Sequence, residues 1–207
     1  MSQTKREEFW NTLTHFIGIV LSLIGLPLLI FANNNLSSFS LASILFFEFG
    51  LLFVYISSTL YHYVENVELK KKLRTLDHIS IFYLIAGSYA PICLITLYND
   101  SGIGVFVAVL AIMFIGTFFK LFYTGKHEKF SLFLYLAMGW LILFKINTLI
   151  DLIEFNGLAL IVTSGLLYTF GTFFYSSKTI KYSHAIWHLF VLGGSATHFF
   201  FVLFFVI

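Results

Sequence analysis

The sequence predicts an all-α membrane protein with seven transmembrane helices, in a single domain that covers residues 1–207. Two observations on composition support this class: 59% of the 207 residues are hydrophobic and only 11% are charged, whereas about 25% of residues are charged in soluble domains. A third observation is the division of the chain into seven apolar stretches. Each stretch is close to the roughly 20 residues that cross a bilayer as a helix.

The seven predicted spans follow from the positions of the polar breaks. The first span covers about 10–32. It lacks a small-residue cleavage site, so we expect a transmembrane helix and not a removed signal peptide. The later spans are separated by ANNNLSSFS, YVENVELKKKLRT, YNDSG, TGKHEK, TLIDLIEFN and YSSKTIKY. We predict these spans at about 39–62, 77–97, 102–123, 130–147, 157–174 and 184–207. Because the breaks are short, consecutive helices should pack as antiparallel neighbours.

The basic residues give the orientation. All of the 12 Lys and Arg residues except Lys145 fall on one side of the predicted bundle. Because Lys and Arg accumulate in cytoplasmic loops, we predict a cytoplasmic N-terminus and an outside C-terminus. The net charge of +2 is interpreted as this topology signal, and we expect no nucleic-acid partner. The residues on the basic side are Lys5, Arg6, Lys70, Lys71, Lys72, Arg74, Lys120, Lys126, Lys129, Lys178 and Lys181.

Five polar side chains from three helices fall at one level near the cytoplasmic face. His184 and His188 are four residues apart and therefore share one face at the start of the seventh helix. His62 ends the second helix, and Ser58 lies one turn before it on the same face. Asp77 opens the predicted third helix. Ionisable residues in membrane segments usually face the bundle interior and mark functional sites.

These residue types match a zinc site. Three neutral imidazoles with one open position are a sufficient set of ligands for catalytic zinc, and we assign this role to His62, His184 and His188. Asp77 is the candidate to orient a ligand or to take a proton from an attacking water. Ser58 is the candidate to hydrogen-bond to the water, to Asp77 or to a developing oxyanion.

Each assignment has a structural alternative. His184 and His188 could form a hydrogen-bonded pair at the membrane interface. Asp77 could cap the third helix just after the basic loop. Ser58 could be a small residue at a helix–helix contact.

The other polar residues of interest lie elsewhere. His78 directly follows Asp77 and should point away from the site, and His127 should be solvated in a charged loop. His198 and Glu48 lie about 15 to 21 Å deeper than the proposed metal level, where the two could pair across the bundle. Other partners for Glu48 would be Asn147 or Thr197.

Four motifs resemble the bacterial hemolysin III family. They are EEFWNTLTH before the first helix, SSTLYH at the end of the second, LDHISIFYLIAGSYAP in the third and HAIWHLFVLGGSATHFF in the seventh. The resemblance spans residues 7 to about 200, although helices four to six match only in hydrophobicity. This family is similar to the progestin and adipoQ receptors and, more distantly, to alkaline ceramidases.

The resemblance implies a seven-helix fold that binds zinc through a histidine ending the second helix and two histidines in the seventh. These positions are His62, His184 and His188, and the serine and aspartate close by would be Ser58 and Asp77. The first motif contributes Glu8, Asn11 and His15. We expect these three residues to support the cytoplasmic end of the bundle, with His15 as an alternative fourth ligand.

The implied function is hydrolysis of a lipid amide or ester by a zinc-activated water, as in the related ceramidases. One alternative is a cytolytic pore or channel. Another is a non-enzymatic lipid sensor that regulates membrane composition and holds a structural zinc. We expect a multi-pass protein of the plasma (inner) membrane whose partner is a membrane lipid or another amphipathic substrate. The sequence leaves the substrate and the oligomeric state open.

Overall fold

A computed structural model describes residues 3–207, and all regular structure in this part of the chain is helical. Seven helical segments are long and apolar enough to span a membrane, as the sequence predicts. The fifth of these spans is divided by a short 3₁₀ segment at Leu141–Lys145. The helices are α1 (Lys5–Ala32), α2 (Ser40–Tyr63), α3 (Val67–Pro91), α4 (Gly102–Tyr123), α5 (Glu128–Gly139), α6 (Ile146–Leu152), α7 (Phe155–Ser176) and α8 (Ser183–Phe205).

The third helix begins at Val67, well before the predicted start at residue 77. Asn66 caps it, because its side-chain oxygen accepts a hydrogen bond from the Leu69 N–H at 2.9 Å. The basic run after Val67 is helical although it is too charged for the bilayer core, so hydropathy alone misplaces this boundary. Asp77 therefore lies inside a helix, and its alternative role as a helix cap is wrong.

The fifth span is not the single helix predicted over 130–147. α5 ends at Gly139, and the Tyr89 hydroxyl of α3 lies 2.9 Å from the carbonyl oxygens of both Met138 and Gly139. The same hydroxyl accepts a hydrogen bond from the Ile142 N–H at 2.8 Å. One tyrosine thus satisfies backbone groups that the break would leave unpaired in the membrane. α6 then continues to Leu152, through part of the stretch predicted as a loop.

Small residues bring the helices around α2 close together. A Cβ atom at Gly50 would lie 2.6 Å from the carbonyl oxygen of Tyr83 in α3, and one at Gly18 would lie 2.5 Å from the Tyr55 ring. Such close approach is typical of helix packing in membranes, where van der Waals contact between backbones stabilises association. It fixes α2 against both α1 and α3.

The start of α1 and the connections α2–α3, α4–α5 and α7–α8 lie at one end of the antiparallel bundle, which we term the basic end. Eleven of the Lys and Arg residues named above lie at or near this end. His62 lies in the last turn of α2 and His184 in the first turn of α8. The fold therefore places both histidines at the basic end, which the positive-inside rule assigns to the cytoplasm.

Candidate metal centre

The structure brings His62, His184 and His188 together, and we term these residues the histidine triad. One nitrogen from each ring lies within 4.8 Å of the others, and no second group of this kind occurs among residues 3–207. The ring centroids are separated by 4.9 Å between His62 and His184, 5.1 Å between His62 and His188, and 4.7 Å between His184 and His188. Metal binding by the triad stays a prediction.

His62 is oriented by the first helix. Its Nδ1 lies 2.6 Å from Oε2 of Glu8, and Oε1 of Glu8 pairs with Nζ of Lys70 at 2.9 Å. With Nδ1–H donating to the carboxylate, the lone pair of His62 is on Nε2, which is buried and has no hydrogen-bond partner among the described residues. A carboxylate that holds the distal nitrogen of a histidine is the usual support of a metal ligand.

His188 is held in a similar way by a backbone group. Its Nδ1 lies 3.1 Å from the carbonyl oxygen of Asn11 and 3.1 Å from the Thr14 hydroxyl. Nδ1–H can therefore donate to the carbonyl, which leaves Nε2 as the ring atom free to bind a cation. His188 is only 1% exposed, so this orientation is maintained in the bundle interior.

The structure does not include His15 in the triad. The His15 ring stacks on the face of His188 with 3.6 Å between centroids and 12° between planes. It therefore contacts the triad through its ring face, and both of its nitrogens are buried without a partner among the described residues. The fourth-ligand alternative for His15 thus has no support in this geometry.

The donor set fits zinc. Three imidazoles converge, two have their distal nitrogens engaged by hydrogen-bond acceptors, and the buried Nε2 of His62 is left without a partner. A cation would satisfy this nitrogen, and zinc accepts three histidine nitrogens while keeping a fourth position open. The geometry therefore favours the metal-site interpretation over a simple hydrogen-bonded pair of His184 and His188.

A cavity of about 520 Å³ extends from the triad into the bundle. His184 and His188 line one end of it, together with Asp77 and Ser58. Both Asp77 and Ser58 are buried, and the Ser58 hydroxyl has no hydrogen-bond partner within residues 3–207. The predicted acid–base and hydroxyl groups thus face the same space as two of the predicted ligands.

Part of the cavity wall is formed by residues that are exposed at the protein surface. Four apolar residues of its wall are exposed on the outside of the protein: Leu143, Ile150, Phe155 and Val162. They belong to the broken fifth span and to α7. The cavity wall therefore comes closest to the surrounding medium at apolar side chains.

His78 is not one of the three converging histidines; it lines the same cavity, and its Nδ1 joins an ion-pair network that sequence reasoning missed. Its Nδ1 lies 3.2 Å from Nζ of Lys120, and Lys120 pairs with Glu128 at 2.7 Å. Lys120 is fully buried, although it counted only as a topology signal in the sequence. The sequence did contain a signal for this network: a lysine inside an apolar helix requires a charged or polar partner.

Two further predictions on histidines have clear outcomes. His127 is exposed as expected. The suggested pair of Glu48 and His198 is wrong: His198 Nε2 lies 3.0 Å from the Ser88 carbonyl oxygen, and both Glu48 oxygens lack a partner in the described part of the chain. On α2, the side chain that packs against the His198 ring is Phe47 and not Glu48, with 5.5 Å between the ring centroids. The face of α2 that meets His198 is therefore not the face that carries Glu48.

The roles of Glu8 and Asn11 at the triad were only partly foreseen. The sequence assigned them to general support of the cytoplasmic end, whereas the structure gives each a specific histidine. A signal was present, because residues 8, 11 and 15 follow the spacing of one helix face. Their partners lie far away in the sequence, so the spacing alone could not identify them.

Comparisons with known proteins identify the family of the chain. The family model described as haemolysin-III related matches residues 3–199. The chain is 40% identical over 205 residues to the hemolysin-3 homolog of Bacillus subtilis (strain 168), covering 99% of this chain and 96% of that protein. It is 36% identical over 208 residues to hemolysin-3 of Bacillus cereus, covering 100% and 95% of the two chains.

A human protein is also related. The monocyte to macrophage differentiation factor of Homo sapiens is 31% identical over 207 residues, which cover 94% of this chain and 82% of the human protein. No solved structure matches the chain at comparable significance. The family model and both Bacillus relatives cover nearly the whole sequence. The chain therefore belongs to the haemolysin-III related family of multi-pass integral membrane proteins.

Proposed function

We propose that this protein is a zinc-dependent hydrolase of membrane lipid amides or esters, located in the plasma membrane. The observation that carries the proposal is the cavity, whose wall includes two triad histidines, Asp77 and Ser58 as well as apolar residues that are exposed at the protein surface. A metal centre, an acid–base group and an apolar wall for a lipid chain would thus share one space.

The triad would hold the metal through its ring nitrogens. Glu8 and the Asn11 carbonyl fix His62 and His188 so that Nε2 of each is available. A zinc ion bound there would act as a Lewis acid that polarises a carbonyl and makes a nearby water more acidic. The hydrogen bonds from the histidines to Glu8 and Asn11 would also make the ligand nitrogens more basic.

Asp77 and Ser58 would act on the reacting groups. The Asp77 carboxylate accepts a proton from the water that attacks the carbonyl carbon, and then transfers it to the leaving nitrogen or oxygen of the lipid. The Ser58 hydroxyl donates a hydrogen bond to the oxygen on which negative charge develops. The products are a fatty acid and the amine or alcohol that was linked to it.

The cavity wall positions the substrate. Most of its lining side chains are aliphatic or aromatic, so the wall binds an acyl chain without penalty for desolvation. The carbonyl group would then lie at the triad end, where polar groups are concentrated. An acyl chain in the cavity also excludes bulk water, which strengthens the electrostatic action of the polar groups.

Zinc analysis of purified protein tests the metal. We expect near-stoichiometric zinc in the wild type and its loss in the His184→Ala/His188→Ala double variant. The matched control is His127→Asn, because His127 is exposed and has a φ of 53°, a conformation that asparagine tolerates. Zinc that is absent from the wild type, or that persists in the double variant, would overturn the proposal.

Lipid turnover tests the reaction. Comparison of the lipids of cells with and without the protein should reveal an accumulated amide or ester in its absence. Cells with Asp77→Ala should show the same accumulation. A bound lipid that no condition converts would instead favour a lipid sensor.

The name of the Bacillus cereus relative, hemolysin-3, points to membrane permeabilisation as a second candidate. A pore requires a polar track across the bundle, whereas the side chains that line the cavity are largely apolar. Dye leakage from proteoliposomes decides between the candidates. Leakage that survives both removal of zinc and Asp77→Ala would favour the pore.

A further inference from the structure

A second group of polar side chains lies on the cavity wall, well away from the triad. His198, Tyr168 and Ser88 line the cavity, and Ser195 contacts Tyr168 from α8; we term these four residues the deep polar cluster. The ten residues from His188 to His198 correspond to about 15 Å of helix. The cavity therefore has polar groups at its triad end and again deeper in the bundle.

The ring of His198 is fixed in one orientation. Nε2 lies 3.0 Å from the Ser88 carbonyl oxygen, which can only accept a hydrogen bond, so Nε2 carries the proton. Phe47 and Phe201 pack against the ring, with centroid distances of 5.5 and 5.6 Å. Nδ1 is then an unprotonated acceptor on a residue of the cavity wall.

Tyr168 and Ser195 supply a donor within the same cluster. Their hydroxyl oxygens are 2.8 Å apart, and one hydrogen bond between two hydroxyls leaves one hydrogen uncommitted. Ser195 is three residues before His198, so both side chains lie on the same face of α8. The cluster thus offers one acceptor and one donor.

Three neighbouring hydroxyls of the wall, on α7, have no free hydrogen to offer, because each already donates it to a backbone carbonyl. Ser164 donates to the Gly194 carbonyl at 2.9 Å, Thr169 to the Gly165 carbonyl at 2.7 Å, and Thr172 to the Thr169 carbonyl at 2.7 Å. The wall contains no Lys, Arg or Glu within residues 3–207. A charged group would therefore find no counter-charge at this depth.

We propose that the deep polar cluster binds a hydroxyl group on the chain of the substrate, about 15 Å from the group that reacts at the triad. An alcohol both donates and accepts a hydrogen bond, which complements His198 Nδ1 and the Tyr168–Ser195 pair. The substrate class is then a lipid amide or ester with a hydroxylated long chain. The inference rests on the proposed function for the position of the reacting group.

Equilibrium binding tests this inference without requiring turnover. The probes are stearamide and stearamides that carry one hydroxyl at successive positions along the chain. Each displaces a fluorescent fatty amide from protein in nanodiscs, and empty nanodiscs correct for partitioning. We expect the best-placed hydroxyl to give about tenfold tighter binding than stearamide, as one or two additional hydrogen bonds allow.

His198→Phe and Tyr168→Phe should each abolish most of this preference, measured for each variant as the ratio of its affinities for the hydroxylated amide and for stearamide. Tyr168→Phe removes only one oxygen and is the variant that best preserves packing. Thr197→Val is the matched control, because the Thr197 hydroxyl donates to the Gly193 carbonyl of its own helix at 2.7 Å and lies outside the cavity wall.

Two results would overturn the inference: equal binding of all amides by the wild type, or a preference that both aromatic variants retain. Hydrolysis is measured in parallel to separate the two proposals. If hydroxylated amides bind more tightly but none is hydrolysed, the deep site stands and the proposed function fails. If amides are hydrolysed with no preference in binding or in kcat/KM, the proposed function stands and the deep site fails.

Discussion

Glu8 Oε2 lies 2.6 Å from Nδ1 of His62, so a residue in the first turns of α1 orients the histidine that ends α2. The other carboxylate oxygen of Glu8 pairs with Lys70 of α3 at 2.9 Å. Three helices thus meet at one carboxylate. This contact places the proton of His62 on Nδ1 and so leaves the lone pair of Nε2 for the triad.

Glu8→Gln should weaken zinc binding by about 10- to 100-fold, the usual effect of removing a carboxylate that supports a histidine ligand. Competition with a zinc chelator measures the affinity. Glu65→Gln is the control, because Glu65 pairs with Lys5 at 3.7 Å with both side chains largely exposed. Equal zinc affinity of wild type and Glu8→Gln would show that the contact does not support a metal ligand.

Asp77→Asn should retain zinc but lower kcat by about 10²- to 10⁴-fold, since the amide cannot accept the proton. The neutral side chain has nearly the same shape, so the substrate KM should change little. Zinc content, kcat and KM are measured on one preparation of the variant. If Asp77→Asn keeps full activity, Asp77 is not the proton acceptor.

Lys120→Met should destabilise the protein by about 2 kcal/mol, because half-buried Glu128 loses its closer cation, at 2.7 Å, and keeps only Arg74 at 3.7 Å. Lys71→Met is the matched control, since Lys71 pairs with Glu68 at 2.8 Å at an exposed position and should cost under about 1 kcal/mol. Thermal unfolding in detergent compares the two. Adding Glu128→Gln to Lys120→Met should recover part of the loss, and a further loss would contradict the ion-pair explanation.

The seven spans and the triad could be predicted for physical reasons that are local in the sequence. Span length and charge asymmetry are imposed by the bilayer, and the four-residue spacing of His184 and His188 forces a shared helix face. The start of α3 at Val67 and the break after Gly139 could not be predicted in this way. The first depends on a side-chain hydrogen bond of Asn66 and the second on those of Tyr89, and a hydropathy pattern contains neither. The pairing of Glu8 with His62 also requires the tertiary fold.

Gly139→Leu tests whether the cavity holds the substrate chain. Gly139 lies on the cavity wall, and a Cβ there would meet nothing within 4 Å, so a leucine fits the protein but occupies space that the chain needs. Overpacking a filled site typically costs 1–3 kcal/mol. Because this cost would fall on the bound substrate chain, we expect KM to rise about tenfold or more. Zinc content should stay unchanged, because the substitution does not touch the triad.

Gly104→Leu is the matched control for this substitution. A Cβ at Gly104 also meets nothing within 4 Å, but Gly104 belongs to α4 and does not line the cavity. Its KM should equal that of the wild type, which separates cavity filling from the general effect of adding a large side chain. If Gly139→Leu binds and hydrolyses lipid as Gly104→Leu does, the substrate chain does not occupy the cavity.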